Sequence, residues 1–150
     1  MKRKARILIV DDDEDICKTL SLILQEEGYE TDIANTGREA IKKSRENFYN
    51  VALLDIKLPD MEGTELLTKM RETSPKMIKI MVTGYPALKN AVEALNRGAD
   101  AYLMKPVNPE KVIKTIKEKL KKQREEEVMT EEKIAMFVKT RTQKLLQESK

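Results

Sequence analysis

A chain of 150 residues with 40% apolar side chains is long enough to bury one domain-sized core and leave a short appendage. It contains no histidine, which excludes histidine-based triads, metal sites and general bases, and its single cysteine, Cys17, excludes an internal disulfide. The net charge of +3 is uneven: residues 1–109 hold 17 Lys and Arg against 18 Asp and Glu, residues 110–124 hold seven against two, and residues 125–150 hold five against six.

The basic bias therefore belongs to one helical segment and not to the body. A solvated helix face explains it more simply than a nucleic-acid or anionic-membrane contact, so neither is expected as a partner within this chain. No apolar run approaches the roughly 18 residues that span a bilayer. Residues 1–6 run directly into a strand with no signal-peptide pattern. With the lone thiol, this predicts a reducing, cytoplasmic setting. Cys17 lies among helix formers, with no histidine to activate it, and reads as packing and not as a nucleophile.

In chain order, residues 6–10 (Arg-Ile-Leu-Ile-Val) form a first strand. A helix over 14–27 carries Ile16, Leu20, Ile23 and Leu24 at helical spacing and stops at Gly28. A second strand spans 29–34, and Thr36-Gly37 opens a helix to about Asn47 with Ala40 and Ile41 inward. The third strand, 51–55, is apolar on both faces and ends in Asp55, followed by a Pro/Asp/Gly loop. A helix over 64–72 carries Leu66, Leu67 and Met70 and closes at Ser74-Pro75. Strand four spans 77–83. A helix starts near Pro86 and ends at Asn96, before Gly98. Strand five spans 101–104, and Asn108-Pro109 opens a last helix, with Val112, Ile113, Ile116 and Leu120 on one face. Five strands alternating with five helices predict an α/β fold with a doubly wound five-stranded parallel sheet. Right-handed crossovers leave few strand orders.

Open α/β sheets place their ligands at the carboxyl ends of the strands. Here that rim collects Asp11-Asp12-Asp13 after strand one and Asp55 after strand three. Converging carboxylates repel one another unless a hard cation joins them. Spacing alone balances a Mg2+ pocket of Asp11, Asp12 and Asp55 against simple capping of the first helix, and Asp13 fits the cap better. Strand four adds the hydroxyl of Thr83, and strand five adds the ammonium of Lys105. Acids, a metal, a hydroxyl and a lysine around one aspartate are the parts of a phosphoryl-transfer site, with the carboxylate as nucleophile.

Four segments carry a family resemblance. They are Ile7-Leu8-Ile9-Val10-Asp11-Asp12-Asp13, Leu53 through Gly63 (Leu-Leu-Asp-Ile-Lys-Leu-Pro-Asp-Met-Glu-Gly), Val82-Thr83-Gly84, and Gly98 through Pro106 (Gly-Ala-Asp-Ala-Tyr-Leu-Met-Lys-Pro). In this order and at these spacings the chain resembles the CheY-like receiver domain of two-component response regulators, over about residues 6–122. The resemblance implies a flavodoxin-like strand order 2-1-3-4-5, a receiver domain over 1–122, and a C-terminal helical extension or the beginning of a linker or output region over 123–150.

It also implies roles. Asp55 accepts a phosphoryl group from a histidine of a sensor histidine kinase. Asp12 holds Mg2+ directly and Asp11 through water, and Asp55 and the backbone carbonyl of Lys57 complete the protein ligands. Thr83 bonds the phosphoryl oxygens, Lys105 pairs with the acyl phosphate, the Lys105–Pro106 peptide bond is cis, and Thr83 with Tyr102 forms the switch. The face of helix four, strand five and helix five, about residues 87–120, then changes for a downstream protein. A homodimer through that face or through the C-terminal helix is left open. Such a protein is a regulatory switch that catalyses its own phosphorylation and slow dephosphorylation, not a metabolic enzyme. Lys57 and Tyr85 occupy places that in this family influence dephosphorylation, and neither suits the orienting of an attacking water.

Beyond residue 122, Glu125-Glu126-Glu127 continues the helix or Thr130 with Glu131-Glu132 starts a fresh one. Ile134, Phe137, Val138, Leu145 and Leu146 form a stripe, interrupted by Arg141, that needs the receiver or another copy to cover it. Three rival readings are weaker. A Mg2+-dependent aspartyl phosphatase of the haloacid-dehalogenase kind needs an acid where Lys57 stands. A nucleotide- or flavin-binding module needs a phosphate-receiving loop where three aspartates stand. A phosphorylation-independent scaffold needs none of the site residues that are present.

Overall fold

The computed structural model of the chain describes residues 4–84 and 88–148, with only the backbone of residues 88–91. Ten elements alternate: β1 (Arg6–Val10), α1 (Glu14–Glu26), β2 (Glu30–Ala34), α2 (Gly37–Glu46), β3 (Val51–Asp55), α3 (Gly63–Thr73), β4 (Ile78–Thr83), α4 (Leu88–Asn96), β5 (Ala101–Met104) and α5 (Pro109–Glu148). The strands are parallel and stand in the order β2-β1-β3-β4-β5, the predicted doubly wound arrangement.

Burial explains which strands lie in the middle. Every residue of β3 and of β4 is buried, whereas the edge strands β2 and β5 keep partly exposed positions. A strand apolar on both faces needs cover on both. On one face Leu8, Val10, Ala52, Leu54 and Met81 pack with Ala40 of α2, Leu66, Leu67 and Met70 of α3, and Ala94 of α4. The alternate residues Ile7, Ile9, Val51, Leu53, Ile80 and Val82 point the other way by the two-residue period of a strand, and they are equally buried. The buried residues Cys17, Leu20 and Leu24 of α1 and Val112 and Ile116 of α5 supply the remaining apolar cover.

Local chemistry sets the element ends. Asp13 caps α1, its carboxylate accepting from the amides of Asp15 (3.0 Å) and Ile16 (3.2 Å). Gly28, at φ +90°, closes α1: its own amide donates to Gln25, and the next amide, that of Tyr29, donates to Leu24. Tyr29 is thus spent on the helix end, and β2 begins at Glu30. Thr36 caps α2 through Glu39, α3 begins at Gly63, and β4 begins at Ile78, each within a residue or two of expectation. The expected start of the fourth helix at Pro86, and Tyr85 beside it, lie outside the described residues.

Of the two readings of the tail, continuation of the helix is the one seen. No helix starts at Thr130, because α5 runs unbroken for 40 residues from Pro109. No Gly or Pro interrupts residues 110–148. The Thr130 hydroxyl donates back to the Glu126 carbonyl (2.9 Å) inside the helix and caps nothing. Two compact units divide the chain, Met1–Ile116 and Lys117–Lys150. Within the second, every described residue from 124 onward is exposed. Among the described residues no helix is long and apolar enough to cross a membrane.

Lys79 is the residue that pattern reading passed over, because it sits inside an apolar strand. It is 2% exposed, and its ammonium donates to the carbonyls of Ser74 (3.0 Å) and Met77 (2.8 Å). Burial pulls its pKa below the ordinary lysine value. Between that lowered value and the ordinary one, the unfolded chain binds more protons, so stability rises with pH across that window. Lys79→Met, which removes a buried charge while keeping its volume, is expected to raise the melting temperature at neutral pH by a few degrees, on the order of 1 kcal/mol. The gap between variant and parent should narrow as pH approaches 10. Calorimetry at several pH values checks both points, and a destabilised variant would refute them.

Candidate functional site

Register brings the site together. Val10 pairs with Leu54, so Asp11 and Asp55, each the next residue, end level on neighbouring strands. Asp55 pairs with Val82, so Thr83 lies one step further along β4. Thr83 pairs with Met104, so Lys105 lies one step beyond that. Four strand ends thus deliver Asp11, Asp55, Thr83 and Lys105 to one rim.

Lys105 joins the two acids. Its ammonium lies 2.7 Å from Asp11 Oδ2 and 3.3 Å from Asp55 Oδ2, with Asp11 and Asp55 only 4% and 7% exposed. Its amide donates to the Thr83 carbonyl (2.7 Å), and the Lys105–Pro106 bond is cis, as the resemblance implied. Asp12 is exposed, and carboxylate oxygens of Asp11, Asp12 and Asp55 lie within 4.8 Å of one another. Three hard oxygen donors at that separation suit a divalent cation such as Mg2+ or Ca2+.

Electrostatics follow from this crowding. Burial, and after it the Asp11 charge, push the Asp55 carboxyl above the ordinary aspartate value, against the pull of Lys105 and the Lys57 amide. Burial alone would lower Lys105, but Asp11 and Asp55 outweigh it, so its pKa is raised and it remains an ammonium. Thr83 is fully buried and shares a hydrogen bond with the half-buried Tyr102, which packs against the core.

The surrounding residues hold this rim in place. Asp11 Oδ1 accepts from the Asp13 amide (3.0 Å), and its backbone carbonyl accepts from Asn35 Nδ2 (3.0 Å) and Cys17 Sγ (3.3 Å). The loop after β3 is tied at both ends. Asp60 accepts from the amides of Gly37 (2.8 Å) and Arg38 (2.9 Å), and the backbones of Lys57 and Glu62 pair in a single antiparallel step. Those two amides hold the Asp60 carboxyl below the ordinary range, against the upward push of burial. Gly63 donates to the Ile56 carbonyl, and a Cβ there would strike the Asp55 carbonyl oxygen and Ile56 Cα. Only glycine lets the chain turn this close behind the acid. Asp60 and Gly63 stood in the sequence motif, but nothing in their spacing disclosed these contacts.

A family model described as the response regulator receiver domain matches residues 7–117. A receiver domain protein from Methanospirillum hungatei JF-1, CheY-like and solved by crystallography, is 56% identical with a TM-score of 0.81, over 83% of this chain and 99% of that one. A response regulator from Burkholderia pseudomallei, solved with a phosphorylated aspartic acid, a calcium ion and citrate, is 30% identical with a TM-score of 0.71, over 73% of this chain and 65% of that one. The transcriptional regulatory protein ZraR of Klebsiella oxytoca is 37% identical over 132 residues, 87% of this chain but 30% of its own length. The chain belongs to the response regulator receiver family of two-component signalling, and it spans about a third of that regulator.

The raised Asp55 pKa fixes a sign. An acid whose folded value lies above its unfolded one opposes folding once pH rises through the unfolded value, near 4. Without metal, Asp55→Asn is therefore expected to melt higher than the parent at neutral pH, with the difference shrinking below pH 4. Added Mg2+ or Ca2+ should raise the parent more than the variant. Thermal melts with chelator and with cation check this, and an equal cation response in both proteins would refute it.

Proposed function

We propose that this chain is a phosphorylation switch in which Asp55 takes a phosphoryl group from a phosphohistidine of a sensor histidine kinase. One observation carries the reading: the Lys105 ammonium lies within 3.3 Å of both Asp11 and Asp55, beside Asp12, at the carboxyl rim of a parallel sheet. An Asp55 oxygen attacks phosphorus. The new O–P bond forms as the N–P bond breaks, and the imidazole leaves with the electron pair. Lys105 neutralises charge on the transferring group, and Thr83 donates its hydroxyl to the phosphoryl oxygens. Asp11, Asp12, Asp55 and the Lys57 carbonyl would hold Mg2+, which supplies further neutralisation when bound. The phosphorylated aspartate and the cation of the Burkholderia relative support this assignment.

Thr83 and Tyr102 already share a hydrogen bond, so pulling Thr83 toward the phosphoryl group draws on the same contact. The output is read on the face of α4, β5 and the first turns of α5, where Val92, Leu95 and Met104 are about half exposed. A downstream protein or output region meets it there. Residues 1–122 act as the receiver, 123–150 extend it, and the setting is cytoplasmic.

Incubation with acetyl phosphate or phosphoramidate and Mg2+, followed by intact mass, tests the reading. A single phosphoryl adduct is expected, lost in Asp55→Asn and lost with chelator. Turnover of small phosphomonoesters would point to an enzyme, and an unmodified chain would point to a scaffold. Because neither Lys57 nor Tyr85 suits the orienting of water, the adduct should persist for minutes or longer. Hydrolysis within seconds would refute that.

A further inference from the structure

From Lys117 to Glu148 the second unit is helical, and several of its large apolar side chains are more than half exposed. Ile134, Phe137, Val138 and Leu145 are 59%, 68%, 56% and 59% exposed. At 100° per residue they fall in one stripe, spaced i, i+3, i+4 and i+11. Helices are marginal in water when no amphipathic face is packed. The stripe also carries two charges of opposite sign, Glu127 and Arg141, each seven residues from Ile134.

Charge along the helix comes in blocks. Residues 125–132 hold five acids and no base, and residues 133–144 hold four bases and no acid. A parallel, in-register pair would set Glu127 on Glu127, Arg141 on Arg141 and acids on acids along the middle block. An antiparallel pair with Ile134 on the two-fold axis sets Glu127 against Arg141 twice and lays 125–132 over 136–143. Leu145 then meets Gln123, and Phe137 and Val138 meet Glu131 and Thr130. Arg124 with Lys144 remains as one like-charged pairing near the ends.

We infer that residues 120–148 bind a second copy of this chain as an antiparallel helix pair centred on Ile134. The pairing is isologous and closes as a dimer. Its polarity is set by the opposite signs of Glu127 and Arg141, because like charges placed on a seam oppose association. It does not depend on phosphorylation, so it is tested on the metal-free, unmodified full chain and fails separately from the proposed function.

Sedimentation equilibrium should show a reversible dimer. Glu127→Arg and Arg141→Glu should each weaken it about tenfold or more, and the double exchange should restore it. Single replacements Glu127→Cys and Arg141→Cys fix the polarity. The native thiol does not interfere, because Cys17 is fully buried and its pKa is pushed up to about 11 by burial, with Asp11 adding to the rise. Mild oxidation of the two variants mixed together should give a 127–141 disulfide, whereas each alone should stay uncrosslinked. Self-crosslinking of Glu127→Cys alone would establish a parallel pair and overturn the proposal, as would a chain that remains monomeric at high micromolar concentration.

Discussion

The ammonium of Lys105 between two buried carboxylates is the contact on which the rim of this molecule depends. Parallel strands that end together bring Asp11 and Asp55 level, and the fold gains nothing electrostatically from doing so. Lys105 offsets part of that cost from the far side of the sheet, two strands away from β3. The offset is incomplete, because the Asp55 carboxyl still sits above its ordinary range. A site that is balanced but not satisfied is one whose state a further charge or cation can change.

Around this centre the backbone is held more firmly than the charges are. Asp60 ties the loop after β3 to the first amides of α2, and Gly63 brings the chain back directly behind Asp55. Asn35 and Cys17 hold the Asp11 carbonyl, and the Lys105 amide is bonded to Thr83. Preorganisation of this kind lets a small chemical change alter side-chain contacts while the sheet remains as it is. In the proposed reading the movable parts are few: a lysine head, a threonine hydroxyl and the tyrosine that shares its bond.

Much of this was legible in the sequence because it follows from periodicity. Runs such as Val51–Asp55 announce a buried parallel strand, and a polar residue at the end of each run announces the rim. Lys105 was legible from its place after strand five, but the contacts that hold the loop behind Asp55 were not, since their partners are distant in sequence. Asp60 meets Gly37 across 23 positions. Lys79 was missed for the opposite reason: a strand pattern absorbs one lysine without comment, and only coordinates show that its head ends on two carbonyls and not in water. Thr130 left two readings open because capping residues and helix-interior threonines look alike in sequence, and the difference lies in where the hydroxyl points.

The last helix separates two kinds of stability within one element. Its first turns are fixed by Val112 and Ile116, each almost wholly buried. Beyond residue 123 no such burial exists among the described residues, yet the helix continues with neither Gly nor Pro to break it. Propensity alone does not sort charges into an acidic block followed by a basic one, nor does it align four large apolar residues with two oppositely charged ones on one stripe. A merely solvated helix would be better served by alternating signs at i and i+4. Blocks of like charge weaken a lone helix and acquire a benefit only when the opposite block of another segment lies across them. The arrangement is therefore better explained by what the helix binds than by what the helix is.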